Sequence, residues 1–171
     1  MLYTENSKKG NLDQALINEE TVKRWLITAE KGDATAQYNL AISYYNGVGI
    51  SKDWDKAMQW FKAAGEKGLV DALYMLGMMY QFGKGVVPDA KEAFQWYYKA
   101  AELGDAESQY RVGNSYCLGR GTDKNPAEAV KWWRKAADQG HAKAIHNLGV
   151  AYYRGEGVPM NKKEAAKWLK M

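Results

Sequence analysis

The chain has 171 residues, of which 46% are hydrophobic and 26% charged, and a net charge of +4. That is enough apolar material for one domain or a short array of stacked repeats, and it excludes an intrinsically disordered chain. From position 120 onward eleven Lys/Arg stand against five Asp/Glu, but the lysines alternate with acids at helical spacing, as on a solvated face, so no nucleic-acid partner is expected.

Only one cysteine, Cys117, is present, so no internal disulfide framework exists. The opening "MLYTENSKKG" has no apolar run of signal-peptide length, and no later segment reads as a membrane span. The expected location is cytoplasmic for the sequence as it stands, and periplasmic or secreted if a leader has been removed.

In chain order, "LDQALI" (12–17) reads as a short helix, and "NEETVKRWLITAEK" (18–31) as the second half of a repeat unit whose first half is missing. From residue 32 the chain repeats itself at a step of 36. Gly47, Gly83, Gly119 and Gly155 keep that step, as do Gly49, Gly85, Gly121 and Gly157. Gly32, Gly68, Gly104 and Gly140 do the same. So do the columns headed by Tyr44 (Tyr80, Tyr116, Tyr152), Ala57 (Ala93, Ala129, Ala165) and Trp60 (Trp96, Trp132, Trp168).

Each unit carries two helical stripes. In the first unit Ala34, Gln37, Tyr38, Ala41, Tyr44 and Tyr45 mark a first helix, A. Ala57, Trp60, Phe61 and Ala64 mark a second, B. Asp53, Asp89, Asn125 and Asn161 are placed to cap helix B, and Glu92, Glu128 and Glu164 complete a capping box in three copies. Pro126 sits at the tolerated first helical position, and the "EKGD", "ELGD" and "DQGH" junctions end helix B with a left-handed glycine. Ala41, Gly77, Gly113 and Gly149 are expected to let the two helix backbones approach, while the Tyr44 and Trp60 columns reach the next hairpin.

These features predict an all-α fold, a right-handed α-α superhelix of helix-turn-helix repeats. The expected divisions are 1–31 for the N-terminal helix and half repeat, then repeats at 32–67, 68–103, 104–139 and 140–171 within one solenoid domain. The last repeat stops inside helix B without its closing glycine, and a longer array is expected beyond it.

The stretch "GDATAQYNLAISYYNGVG" and its copies "GLVDALYMLGMMYQFGKG", "GDAESQYRVGNSYCLGRG" and "GHAKAIHNLGVAYYRGEG", each followed by an "A-x-x-W" helix, closely resemble the Sel-one-like repeat (SLR) family. This family is related to the tetratricopeptide repeats, and the resemblance covers residues 18–171. Departures are local: Val70 replaces a small residue, and His146 stands in the column of Tyr38, Tyr74 and Tyr110. The resemblance implies an adaptor or scaffold, with bacterial immunity proteins that block secreted toxins as a narrower possibility within the class.

Four chemistries can be set against these residues. Gly47-Val48-Gly49 lacks the Lys-Ser/Thr and the strand of a phosphate loop, and its repetition makes it a turn. His141 and His146, five apart, lie on different helix faces, so no metal or other cofactor is expected; His141 reads as a turn residue in the place of Asp33 and Asp105. Cys117 has no histidine partner in the repeat plan, so no catalytic residue is assigned and the protein reads as non-enzymatic. The fourth is a protein or peptide partner held in a concave groove lined by helix A, with the chain itself a monomer.

The expected groove residues are Tyr38, Ile42 and Tyr45 in the first repeat, and Asp71, Tyr74, Met78 and Gln81 in the second. The third supplies Glu107, Tyr110 and Asn114, and the fourth Lys143, His146 and Tyr153. Thr35, Cys117 and Val150 share that face. Aromatic residues flanked by polar ones make good anchors, although the Tyr38 column serves packing between repeats equally well. The alternative is a carbohydrate or cell-wall-binding module, or a hydrolase built on the groove aromatics with Asp71 and Glu107.

Overall fold

The computed structural model describes residues 17–170, and all regular elements among them are helical. The helices are α1 (Glu19–Glu30), α2 (Ala34–Asn46), α3 (Trp54–Glu66), α4 (Val70–Phe82), α5 (Ala90–Glu102), α6 (Ala106–Leu118), α7 (Pro126–Asp138), α8 (Ala142–Arg154) and α9 (Lys162–Leu169). The fold is a helix-turn-helix repeat array of the SLR type. Helix A of the repeats is α2, α4, α6 and α8; helix B is α3, α5, α7 and α9, with α1 as the lone B-type helix at the start. Of the expected helix at 12–17, all but Ile17 lies outside the described residues.

Packing divides the chain into two compact units, one ending at Leu69 and the other beginning at Val70. Within the first, α1 packs on α2 and α2 on α3; within the second, each helix from α4 to α9 packs on the next in sequence.

Local chemistry sets the helix ends. Asp53, Asp89, Asn125 and Asn161 each accept a backbone N–H of the following first turn. The reciprocal half of the expected capping box does not form. The backbone N–H of these residues is already donated to the carbonyls of Tyr44, Tyr80, Tyr116 and Tyr152, at 2.8–3.0 Å. Those bonds tie the last turn of helix A to the first residue of helix B, which leaves the glutamate side chains free for other roles, and Glu128 pairs with Lys131 instead.

The two glycines of the A-to-B turn do different jobs. Gly119 ends α6 in the left-handed conformation, φ +68°, with its N–H on the Ser115 carbonyl. Gly121 also has positive φ, but its main constraint is space: a Cβ there would stand 2.0 Å from the Ala90 carbonyl oxygen at the start of α5, the second helix of the preceding repeat. Gly157 meets Pro126 in the same way at 2.2 Å. The second glycine is therefore where one hairpin seats on its predecessor.

Inside each repeat of the second unit a helical glycine faces a bulky side chain of helix B. A Cβ at Gly77 would lie 2.6 Å from the Tyr97 ring, at Gly113 2.4 Å from the Trp133 indole, and at Gly149 2.6 Å from Leu169. The expected reason, backbone approach, needs correction: these glycines chiefly make room for a side chain, and Phe61, at 0% exposure, occupies the equivalent column opposite Ala41.

Large side chains join successive hairpins. Tyr116 meets Phe94 edge-on at 5.4 Å, and Trp132 meets Tyr98 at 5.3 Å. One repeat later Arg134, in the column of Tyr98, lies between the rings of Tyr152 and Trp168 and donates to the Tyr152 hydroxyl. Within the second unit Tyr116, Trp132, Tyr152 and Trp168 thus reach the preceding hairpin, an aromatic and cation–π interlock that buries Trp132 and Trp168.

Two glycine substitutions separate strain from space. Gly104 has φ +97° and nothing within 4 Å of an added Cβ, so Gly104→Ala is expected to cost about 1–2 kcal/mol, the left-handed penalty alone. Gly121→Ala adds the clash with the Ala90 carbonyl and is expected to cost roughly 3 kcal/mol or more, measured by urea unfolding followed by circular dichroism. Equal costs would remove the seating role. Gly113→Ala is expected to lose about 1–3 kcal/mol by overpacking. A Trp133→Phe background should recover part of that loss, since the first repeat combines Ala41 with Phe61; a double-mutant cycle with no coupling would refute this pairing.

Candidate functional site

Polar side chains bond across one face formed by α4, α6 and the start of α8. Glu107, Arg111, Asn114 and Leu118 of α6 are spaced at i, i+4, i+7 and i+11, which places them along one stripe. Arg111 is the hub. Its Nε lies 2.9 Å from Glu107 Oε1, its Nη2 donates to the Tyr74 hydroxyl at 3.0 Å, and its Nη1 donates to Gln81 Oε1 at 3.2 Å. The guanidinium also lies 5.3 Å from the ring centres of Tyr74 and Tyr97.

The other carboxylate oxygen of Glu107 takes the next step, 2.9 Å from His141 Nε2. His141 caps α8: its Nδ1 accepts the Ala144 N–H at 3.2 Å, so in this arrangement Nε2 carries the proton and donates it to Glu107. The imidazole stacks on Tyr110 at 4.8 Å. A continuous strip Tyr74–Arg111–Glu107–His141 therefore links three successive repeats. The hydrogen bond from His141, with the Arg111 and Lys143 charges, holds the Glu107 carboxyl below its usual range despite burial. Asp71 moves the opposite way, its carboxyl pushed up first by partial desolvation beside the protein surface and then by Asp105.

Beside this strip a cleft of about 490 Å³ opens between the end of α4, the first turns of α5 and the far half of α6. Tyr97, Arg111 and Asn114 lie in it, Ala93 and Phe94 add apolar surface, and Phe82, Leu118 and Arg120 stand toward solvent. Asp89 also lines it, but its Oδ1 is held by the backbone N–H groups of Lys91 and Glu92. Asn114 Oδ1 accepts from the Trp133 indole at 3.1 Å and from Asn147 Nδ2 at 3.2 Å.

The residues singled out in the sequence fall into different settings. Gln81, Glu107, Tyr110 and Asn114 are on this face, each tied to a neighbour on another helix. Met78, expected as a groove residue, is 9% exposed and packs in the core with Ala93, Tyr97, Val112 and Trp132, on the side of α4 that α5 covers. In the first unit Tyr38 and Tyr45 both pack on Phe61, and Ile42 is half-buried. Lys143, His146 and Tyr153 are exposed on α8; Asp71 is exposed on α4. Burial pushes the Cys117 thiol up, away from a reactive thiolate.

Arg111, Phe82, Leu118, Arg120 and Asn147 were not singled out in the sequence. Arg111 carried a readable signal, since it stands four residues after Glu107 on the same helix. Its column otherwise holds Asn39, Met75 and Asn147. Both oxygens of Glu107 are engaged, so the arrangement offers no free base paired with an acid; among the described residues no cluster of His, Cys, Asp and Glu could hold a metal ion. No described helix is long and apolar enough to cross a membrane.

Helical hairpins packed in sequence order, with differing side chains on one face of a repeated frame, define a helical-repeat protein. The chain belongs to the Sel1 repeat family, whose model matches residues 34–69, 70–105, 106–141 and 142–171. It is similar to c5321, a protective antigen of uropathogenic Escherichia coli strains with an SLR fold, at 38% identity and a TM-score of 0.83 over 87% of this chain and 32% of that one. A Sel1 repeat protein from Oxalobacter formigenes matches at 36% identity and a TM-score of 0.77, over 89% of this chain and 61% of that one. The immunity protein PA5088 from Pseudomonas aeruginosa matches at 25% identity and a TM-score of 0.52, over 88% and 54%. The chain thus spans about a third of the length of the first of these structures, and less than two thirds of the other two. No curated protein matches it significantly.

The Glu107 strip has a signed dependence on pH. Because the folded carboxyl titrates below its usual 4.5, its contribution to stability is complete above that value and is lost as the pH falls through the folded value. Glu107→Gln should therefore lower the thermal midpoint near neutral pH, and the gap to the parent should close on acidification. A gap that does not change with pH would show that the ion pairs contribute nothing.

Proposed function

We propose that the protein is a non-enzymatic interaction module that holds a segment of a protein or peptide partner against the α4–α6–α8 face of residues 70–171. The observation that carries this reading is the cleft with its rim of Phe82 and Leu118, 54% and 56% exposed, beside a polar strip already fixed in place. Exposed apolar side chains around a cleft mark an interaction site, and a pre-organised face lowers the ordering cost of binding.

A stacking site for sugar is less well supported. The ring of Tyr110 is covered by His141, and those of Tyr74 and Tyr97 by Arg111. Nor does the engaged Glu107 support a hydrolase. The immunity protein from Pseudomonas aeruginosa favours a narrower version, in which the partner is a toxin that this chain neutralises.

Phe82→Ser and Leu118→Ser change side chains that are mostly in water, so the thermal midpoint should move little. Capture of the partner by the tagged chain, quantified by mass spectrometry after mild crosslinking, should fall on the order of tenfold for each. Undiminished capture by both variants would exclude this face. For the narrower version, co-expression with the product of an adjacent toxin gene should restore growth with the parent and fail with Leu118→Ser.

A further inference from the structure

The two amides of the cleft turn donors toward it. The Trp133 indole can only donate, so the Asn114 oxygen must be the atom it meets, and the Nδ2 end of that amide is left for the cleft that Asn114 lines. The same logic applies to Gln81. Arg111 has only donors, which fixes Gln81 Oε1 as the acceptor, with the Tyr97 hydroxyl donating to it as well at 2.7 Å, and leaves Nε2 as the outward group. Arg120, exposed on the turn after α6, has no ion-pair partner among the described residues. The acid in the lining, Asp89, has its Oδ1 held at the start of α5.

These groups complement an acceptor, and the neighbouring Phe82 and Leu118 complement an apolar side chain. Resting on the interaction reading above, we infer that the cleft selects an extended peptide segment in which an apolar residue is flanked by Asp or Glu. The carboxylate receives the amide N–H groups of Asn114 and Gln81 and the charge of Arg120; the apolar side chain lies between Phe82 and Leu118. The choice of side chains in the columns agrees. Phe82 and Leu118 stand where the other repeats have Asn46 and Arg154, and Arg120 where they have Val48, Lys84 and Glu156. The acceptor-seeking, apolar-rimmed combination is therefore specific to this stretch of the repeat array.

The test uses the whole chain and short fluorescein-labelled peptides with a central Leu flanked on both sides by Glu, by Gln or by Lys, the remainder Gly and Ser. Fluorescence anisotropy should show the Glu peptide binding on the order of tenfold more tightly than the Gln peptide, with the Lys peptide weakest. Arg120→Gln, a change on an exposed turn, should remove most of that preference, and a Ser in place of the central Leu should weaken binding on the parent. Equal affinity for the Glu and Gln peptides, an Arg120→Gln protein that keeps the preference, or no binding by any peptide would overturn the inference. Partner capture that still depends on Leu118 in those cases would leave the interaction reading standing, so the two fail separately.

Discussion

A hairpin of two thirteen-residue helices, such as α6 and α7, cannot bury both of its faces, and its position depends on how it seats on its neighbour. In the second unit that seat is a backbone contact. The turn glycines Gly121 and Gly157 lie against the carbonyls of Ala90 and Pro126, too close for any side chain. A carbonyl at the first turn of a helix is rigidly placed, and a glycine without Cβ can approach it without adjustable atoms in between. The approach sets the distance between hairpins, and the interlock of Tyr98 with Trp132, repeated as Arg134 between Tyr152 and Trp168, sets their rotation.

With the hairpins so placed, successive A helices present their stripes side by side, and side chains can bond across repeats. Glu107 of α6 reaches His141 at the start of α8, and Arg111 reaches Tyr74 and Gln81 of α4. Two of these partners are held by a second group: His141 by its cap on Ala144, Gln81 by Tyr97. Bonds linked in such a strip stiffen the face beside the cleft. Rigidity there comes from polar bonds, and the deeper rigidity from the rings beneath.

Much of this architecture was legible in the sequence because repetition turns weak local signals into strong ones. A single Gly-Val-Gly is ambiguous, but the same pair at every step of 36 residues is a turn. The caps of helix B were equally clear at Asp53, Asp89, Asn125 and Asn161, whereas His141, expected as a turn residue, proves to cap α8. What could not be read depends on side-chain volume and phase. Glu92, Glu128 and Glu164 have capping-box spacing, yet the backbone N–H they would meet is taken by a carbonyl from the preceding helix, a tertiary bond with no local signature. Gly113 reads as a helix contact from sequence, but that Trp133 fills the space follows only from the crossing of α6 and α7. On α6 the expected groove residues Glu107 and Asn114 share a stripe with Arg111, while Tyr110 stacks on His141. One residue on a helix is a rotation of about 100°, so Arg111, next to Tyr110 in sequence, meets different neighbours, the Tyr74 hydroxyl and Gln81.

The division of labour within each repeat follows from these bonds. The turn glycines recur in every copy, because a backbone contact tolerates few shapes, and the Tyr44 and Trp60 columns keep their rings, while the column of Tyr98 varies through Lys62, Arg134 and Lys170. Positions along the cleft differ between copies: Asn46, Phe82, Leu118 and Arg154 share one column, and Val48, Lys84, Arg120 and Glu156 another. Exposed side chains at the end of helix A and in its turn bear no weight in the packing, so they are free to vary while the frame stays fixed. Variation between copies at these positions therefore hardly alters the frame. The glycine contacts that hold it are the ones least able to change.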